Sequence, residues 1–133
     1  MVTRSYIKLY GPPVLEGIRT LEKISVEIPE VSIMNTVLWR EIAGQITRDL
    51  RESPIRLMVM MAELAINHFA KSDIYLPAER SRNILSKAGE SLGEYDFFFE
   101  WSKKPDREQL YKLLEKIDEE LARLGCVYTV TTK

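Results

Sequence analysis

The sequence predicts an α+β fold: a ferredoxin-like split βαβ sheet with a helical insertion between its second and third strands. Three observations carry this. The 133-residue chain has strand–helix–strand patterns at both ends. The block between them, about residues 36–93, is patterned mainly as helix. The stretch that follows alternates aromatic residues with charged ones, as a strand does. The length suits one α+β domain with the insert inside it. A chain of this size buries roughly two-thirds of its unfolded surface, enough for a core without staples.

The first strand spans residues 6–10, where Ile7 and Leu9 alternate with Tyr6, Lys8 and Tyr10. Gly11-Pro12-Pro13 turns the chain, and Pro13 suits the first turn of a helix because its missing N–H has no partner there anyway. Val14, Ile18 and Leu21 recur at helical spacing, with Ile24 near the end and Pro29 closing the region. Residues 31–34 form a short extended run. In the insert, Leu38, Ile42, Ile46 and Leu50 are spaced by four, which predicts one amphipathic helix. Ser53-Pro54 reads as a cap followed by a first-turn proline. The helix it opens is apolar almost all the way round, which places it centrally or at a subunit interface. A weaker third helix is expected over residues 77–87.

Residues 94–101 read as the third strand. Asp106 and Gln109 fit a capping box, and Leu110, Leu113, Leu114, Ile117, Leu121 and Leu124 stripe one face of the last helix. Glu108–Lys112 and Glu119–Arg123 are favourable i,i+4 pairs. Gly125 suits the left-handed stop, and residues 126–132 form the last strand.

Strand alternation sorts these residues onto two faces. Ile7, Leu9, Tyr95, Phe97, Phe99, Trp101, Cys126, Tyr128 and Val130 fall on the face under the helices. Tyr6, Lys8, Tyr10, Asp96, Phe98, Glu100, Thr129 and Thr131 fall on the other, a mixed aromatic and charged surface. That surface is either solvated, covered by the insert, or a dimer or ligand face.

Composition removes several function classes. Net charge is −1, so no global field favours nucleic acid or anionic lipid. RNA-recognition sheets of this topology stack bases on aromatic residues of the central strands. Here Asp96 and Glu100 flank Phe98 and repel phosphate, and the expected basic-aromatic motif is absent. The longest apolar stretch, residues 57–70, is broken by Glu63, Asn67 and His68 and is too short to span a bilayer. Gly11-Pro12-Pro13 interrupts any leader-like apolar run, so no secretory signal is expected. One cysteine excludes an intrachain disulfide framework and suggests a reducing, cytoplasmic setting. Two glutamines and three asparagines against many charged residues lean toward a thermophile source.

Candidate chemistry is sparse. His68 is the one histidine, with Glu63 and Asp73 nearby in sequence. It reads either as a metal or general-base residue or as a core or interface histidine satisfied by hydrogen bonds, and the second reading is favoured because Glu63 stands five positions away. One histidine and one cysteine 58 positions apart make no zinc set, and no carboxylate-rich calcium loop is present, so neither metal nor cofactor is expected. Cys126 follows a helix C-terminus, the wrong end of the dipole for a thiolate, and reads as a structural thiol. Gly11-Pro12-Pro13 lacks the N–H donors of a phosphate loop. Arg80, Arg82 and Lys87 read as a small solvated basic patch.

Two function classes remain. The first is a non-enzymatic module that forms a homo-oligomer and binds a protein partner or small ligand, without nucleic acid or membrane. The second is an enzyme in which paired sheets enclose a pocket, with Tyr6, Tyr10, His68, Asp96 and Glu100 as its polar groups; Tyr6, Lys8, Tyr10, His68, Asp96, Phe98 and Glu100 together are the candidate ligand or interface residues.

Overall fold

The structure, a computed structural model, describes residues 2–133. It is α+β, with one antiparallel sheet of four strands and six helices among the described residues. The strands are β1 (Thr3–Tyr10), β2 (Val31–Asn35), β3 (Phe97–Trp101) and β4 (Val127–Thr132). The helices are α1 (Val14–Val26), α2 (Thr36–Gln45), α3 (Arg48–Glu52), α4 (Pro54–Ala70), α5 (Ala78–Ser81) and α6 (Arg107–Leu124). A single 3-10 turn, Gly89–Leu92, precedes β3. The sheet order is β2-β3-β1-β4, and every neighbouring pair is antiparallel. β1 and β2 therefore run parallel to each other on either side of β3.

Register explains the core. Phe97 pairs with Ile7 and Asn35, Phe99 with Ser5 and Ile33, and Trp101 with Thr3 and Val31. Alternation puts these on one face, where they join Ile18, Leu21 and Ile24 of α1 and Leu113, Ile117 and Leu121 of α6 in one apolar cluster. Asp106 and Gln109 form the reciprocal capping box at the start of α6, and Gly125 ends it at φ 69°. Both expected i,i+4 pairs are present on α6, at 3.4 Å for Lys112–Glu108 and 3.6 Å for Arg123–Glu119. Cys126 is buried at the end of that helix.

The opposite sheet face is covered over β3 and the middle of β1 and open along β4, where Thr129 and Thr131 are exposed. Phe98 is fully buried and Tyr6 is 7% exposed. The chain leaving the insert closes over them. Tyr95 lays its ring 4.8 Å from that of Tyr6, and Ser86 Oγ donates to Glu100 Oε1 at 3.1 Å. Residues 84–86 also run parallel along the outer edge of β2, where Ile33 N–H donates to Ile84 O and Ser86 N–H donates to Ile33 O. That bridge covers part of an edge otherwise left unpaired.

Several expectations are corrected. Tyr95 does not share a face with Phe97: β3 starts only at Phe97, and although Asp96 N–H still donates to Ile7 O at 3.0 Å, it is the Asp96 side chain that accepts the next β1 donor, Leu9 N–H, through Oδ2 at 2.8 Å. The helix expected over Leu38 to Leu50 breaks after Gln45, because Thr47 caps a new helix by accepting Leu50 N–H. The helix expected over residues 77–87 is one turn, Ala78–Ser81. Arg80 is buried rather than solvated. Its Nη2 donates to the carbonyls of Ser25 in the last turn of α1, Ile28 in the loop that follows and Val31 at the start of β2. Ser53 and Pro54 open α4 as expected, with Ser53 Oγ accepting Arg56 N–H at 3.4 Å.

Candidate functional site

The lone histidine stands at the centre of a buried polar network. Met61, Leu64, Ala65 and Phe69 form the inner face of α4, and His68 shares that face because it follows Leu64 by four and Met61 by seven positions. Its Nε2 lies 2.6 Å from Glu22 Oε2 on α1, and its Nδ1 lies 3.4 Å from Glu41 Oε1 on α2. Glu22 Oε2 also accepts Asn35 Nδ2–H at 2.9 Å, while Asn35 Oδ1 accepts Leu38 N–H at 2.9 Å and so caps α2. Lys71 Nζ stands 3.8 Å from Glu41. Three helices and the end of β2 thus meet through one imidazole.

An ionised carboxylate only accepts hydrogen bonds. With a glutamate at each ring nitrogen, both nitrogens are best used as donors, which is the imidazolium form. Burial pulls the His68 pKa down, but the hydrogen bond and charge of Glu22, with those of Glu41, outweigh it and leave the pKa above its ordinary value of 6.5. The Glu22 side chain is 1% exposed, so its carboxylate is shielded from bulk solvent. Beside it is a recess of about 100 Å³ lined in part by Arg19, Val37, His68 and Lys71. A water takes up roughly 30 Å³, so the recess holds a few waters and is well below the ~300–1,000 Å³ of ordinary ligand pockets. Among the described residues no group of three or more His, Cys, Asp or Glu side chains is arranged to hold a metal ion.

The other predicted site residues lie elsewhere. Glu100 pairs with Arg4 at 2.9 Å across β3 and β1, and Arg4 also stacks over Phe98 at 5.4 Å. Asp96 ties down Leu9, with Lys8 Nζ at 3.9 Å; that ammonium also donates to Glu94 O at 2.9 Å. Tyr6 and Phe98 are packed in the core, and Tyr10 is exposed at the end of β1. By register, Asn35 shares the face of Phe97, whereas Glu100 opposes Arg4 on the other. The His68 network and the Asp96–Glu100 group therefore lie on opposite faces of the sheet and share no hydrogen-bond partner.

The carboxylates that meet His68 are Glu22 and Glu41, not Glu63 or Asp73. One sequence signal pointed to Glu22: it follows Ile18 by four positions and sits beside Leu21, within the apolar stripe of α1. A charge inside a buried stripe needs a partner. Asn35 stands directly before α2, where asparagine is a preferred cap, whereas nothing local distinguished Glu41.

The outer side of α4 is a second unusual feature. Ile55, Val59 and Met58 are 76%, 53% and 50% exposed, with Ala62 and Ile66 along the same side. Together with Arg82 and Glu63 they line an apolar groove of about 310 Å³. A larger cleft, about 590 Å³, lies between the end of α1 and the start of α6 and contains none of the predicted site residues.

No protein-family model, curated protein or solved structure matches the chain. Among the described residues no helix is long and apolar enough to cross a membrane.

Proposed function

We propose that this chain is a non-enzymatic, self-associating interaction module and that the outer face of α4 is its association surface. The observation that carries this reading is the run of Ile55, Met58, Val59, Ala62 and Ile66 left in water on one side of a helix whose other side is core. Single exposed apolar residues are ordinary, but a contiguous stripe along a helix marks a surface that partners cover. The enzyme reading has less support, because its candidate groups divide between two faces of the sheet. The same proposal includes the finer fold class. Its support is the order β2-β3-β1-β4, read from the other edge as β4-β1-β3-β2, with α1 and α6 as the crossovers and residues 36–93 as the insertion.

Sedimentation velocity over a wide concentration range tests the function. The wild type is expected to associate, and Val59→Glu to remain monomeric while keeping its helical signal. A wild type that stays monomeric at every concentration overturns the reading.

A further inference from the structure

We infer that two copies of the chain pair through α4 in antiparallel fashion, about a two-fold axis near Val59 and Met60, with Arg56 of each copy against Glu63 of the other. This rests on the self-association proposed above and specifies its geometry. Arg56 and Glu63 are seven positions apart, two helical turns, so they stand in line on one flank of the apolar stripe. Both are exposed, and among the described residues neither takes part in an ion pair.

Helix direction decides what that flank meets. When two identical helices pack face to face and antiparallel, each flank meets its own counterpart. When they pack parallel, each meets the opposite flank. The other side of the stripe turns into the chain's own core, where Met61, Ala65 and Phe69 are buried, and its exposed residues, Pro54 and Met58, carry no charge. The antiparallel pair instead sets a flank bearing one positive and one negative group against a copy of itself. A two-fold axis turns that into two identical ion pairs, the self-complementarity a closed dimer requires.

The position of the axis agrees from two independent sets of residues. The midpoint of Arg56 and Glu63 falls between Val59 and Met60. The midpoint of the apolar stripe, from Ile55 to Ile66, falls between Met60 and Met61. An axis that aligns the charges therefore also centres the apolar contact. It sets Val59 beside Val59 of the second copy and Ile55 beside the gap between Ala62 and Ile66, where the small alanine admits it.

The test mixes two charge reversals. Arg56→Glu makes the flank all negative and Glu63→Arg makes it all positive. Each variant alone should self-associate about tenfold more weakly than wild type at low salt, because both ion pairs become repulsive. Mixed, they should form a heterodimer well above the statistical share, since that pair restores both contacts. The variants differ in mass, so native mass spectrometry counts the species directly, and the preference should fade in high salt. Both side chains are exposed, so unchanged melting of each variant is the control for folding. If the wild type associates but the variants associate equally well, or mix only statistically, the antiparallel geometry is wrong and self-association stands. If the wild type is monomeric, or the face binds only a different protein, both fall.

Discussion

Removing the His68 side chain is the sharpest test of how α4 is held. In His68→Ala, Glu22 loses a partner at 2.6 Å and keeps only Asn35 Nδ2–H at 2.9 Å, with its carboxylate 1% exposed. Breaking a buried ion pair costs about 3–5 kcal/mol, because an uncompensated charge is left behind. The adjoining recess of about 100 Å³, lined by Glu22 and His68 themselves, has room for water to reach the carboxylate once the imidazole is removed, so the lower end, about 3 kcal/mol, applies. An unfolding entropy of about 2.1 cal/mol/K per residue converts this to a fall in Tm of roughly 11 °C for a chain of 133 residues. Urea denaturation of wild type, His68→Ala, Glu22→Gln and the double variant isolates the pair. A coupling of at least about 1 kcal/mol is expected. The sign of the pH dependence follows from the raised His68 pKa: the charged pair contributes fully below pH 6.5 and is lost as pH rises through the higher folded-state value. The stability gap between wild type and His68→Ala should therefore narrow on going from pH 6 upward. A loss under about 1 kcal/mol with additive single effects, or a gap that widens with pH, would refute the argument.

Three further perturbations follow from the same structure. Arg80→Met should destabilise the fold by about 2–3 kcal/mol, because the carbonyls of Ser25, Ile28 and Val31 lose a charged donor; denaturant midpoints measure it, and a neutral result would mean water replaces the guanidinium. Gly89→Ala would drive its Cβ into Trp39 Cε3, so the indole must move at a cost of about 1–3 kcal/mol; a changed tryptophan emission with a lower Tm is expected, and an unaltered spectrum counts against it. Burial and the hydrogen bond to Asp118 at 2.7 Å push the Tyr128 phenol up to about 12. Ultraviolet titration of Asp118→Asn should lower it, and an unchanged midpoint would remove Asp118 as a cause.

Much of the fold was legible because its signals are local. The capping box at Asp106, the stop at Gly125, the cap at Ser53 and the period of β1 each need only a few neighbouring residues. What was not legible depends on distant parts of the chain. Tyr95 changes face where the Asp96 side chain accepts the N–H of Leu9, 87 positions away in sequence. Arg80 looked like surface charge, yet the carbonyls that bury it come from α1, the following loop and β2, with Ser25 55 positions away. The helix break at Thr47 was within reach of a local reading, since threonine is a preferred cap whose Oγ1 accepts the N–H three residues on and Asp49 follows in the first turn, but the spacing of Leu38, Ile42, Ile46 and Leu50 concealed it. The site divided in the same way. His68 stood out by being alone, while Glu41 became its partner only when α2 and α4 packed together.

The two sides of α4 bear on one another. Inside, the helix is held by a buried charge pair, an arrangement whose desolvation roughly offsets its attraction and which apolar residues of similar size often match in stability. Outside, it leaves Ile55, Met58 and Val59 in water, at a cost of about 25 cal/mol for each Å² of apolar surface that could have been covered. A helix selected only to stabilise this fold would do neither. The inner pair has a directional requirement that apolar packing lacks: His68 must reach Glu22 and Glu41 together, so rotation or sliding of α4 breaks at least one contact. Rotation about the helix axis is also the motion that would turn the outer stripe, and the Arg56–Glu63 flank, away from a second copy. Buried charge on one side and uncovered apolar surface on the other are thus accounted for together if α4 is a surface whose orientation matters to a partner.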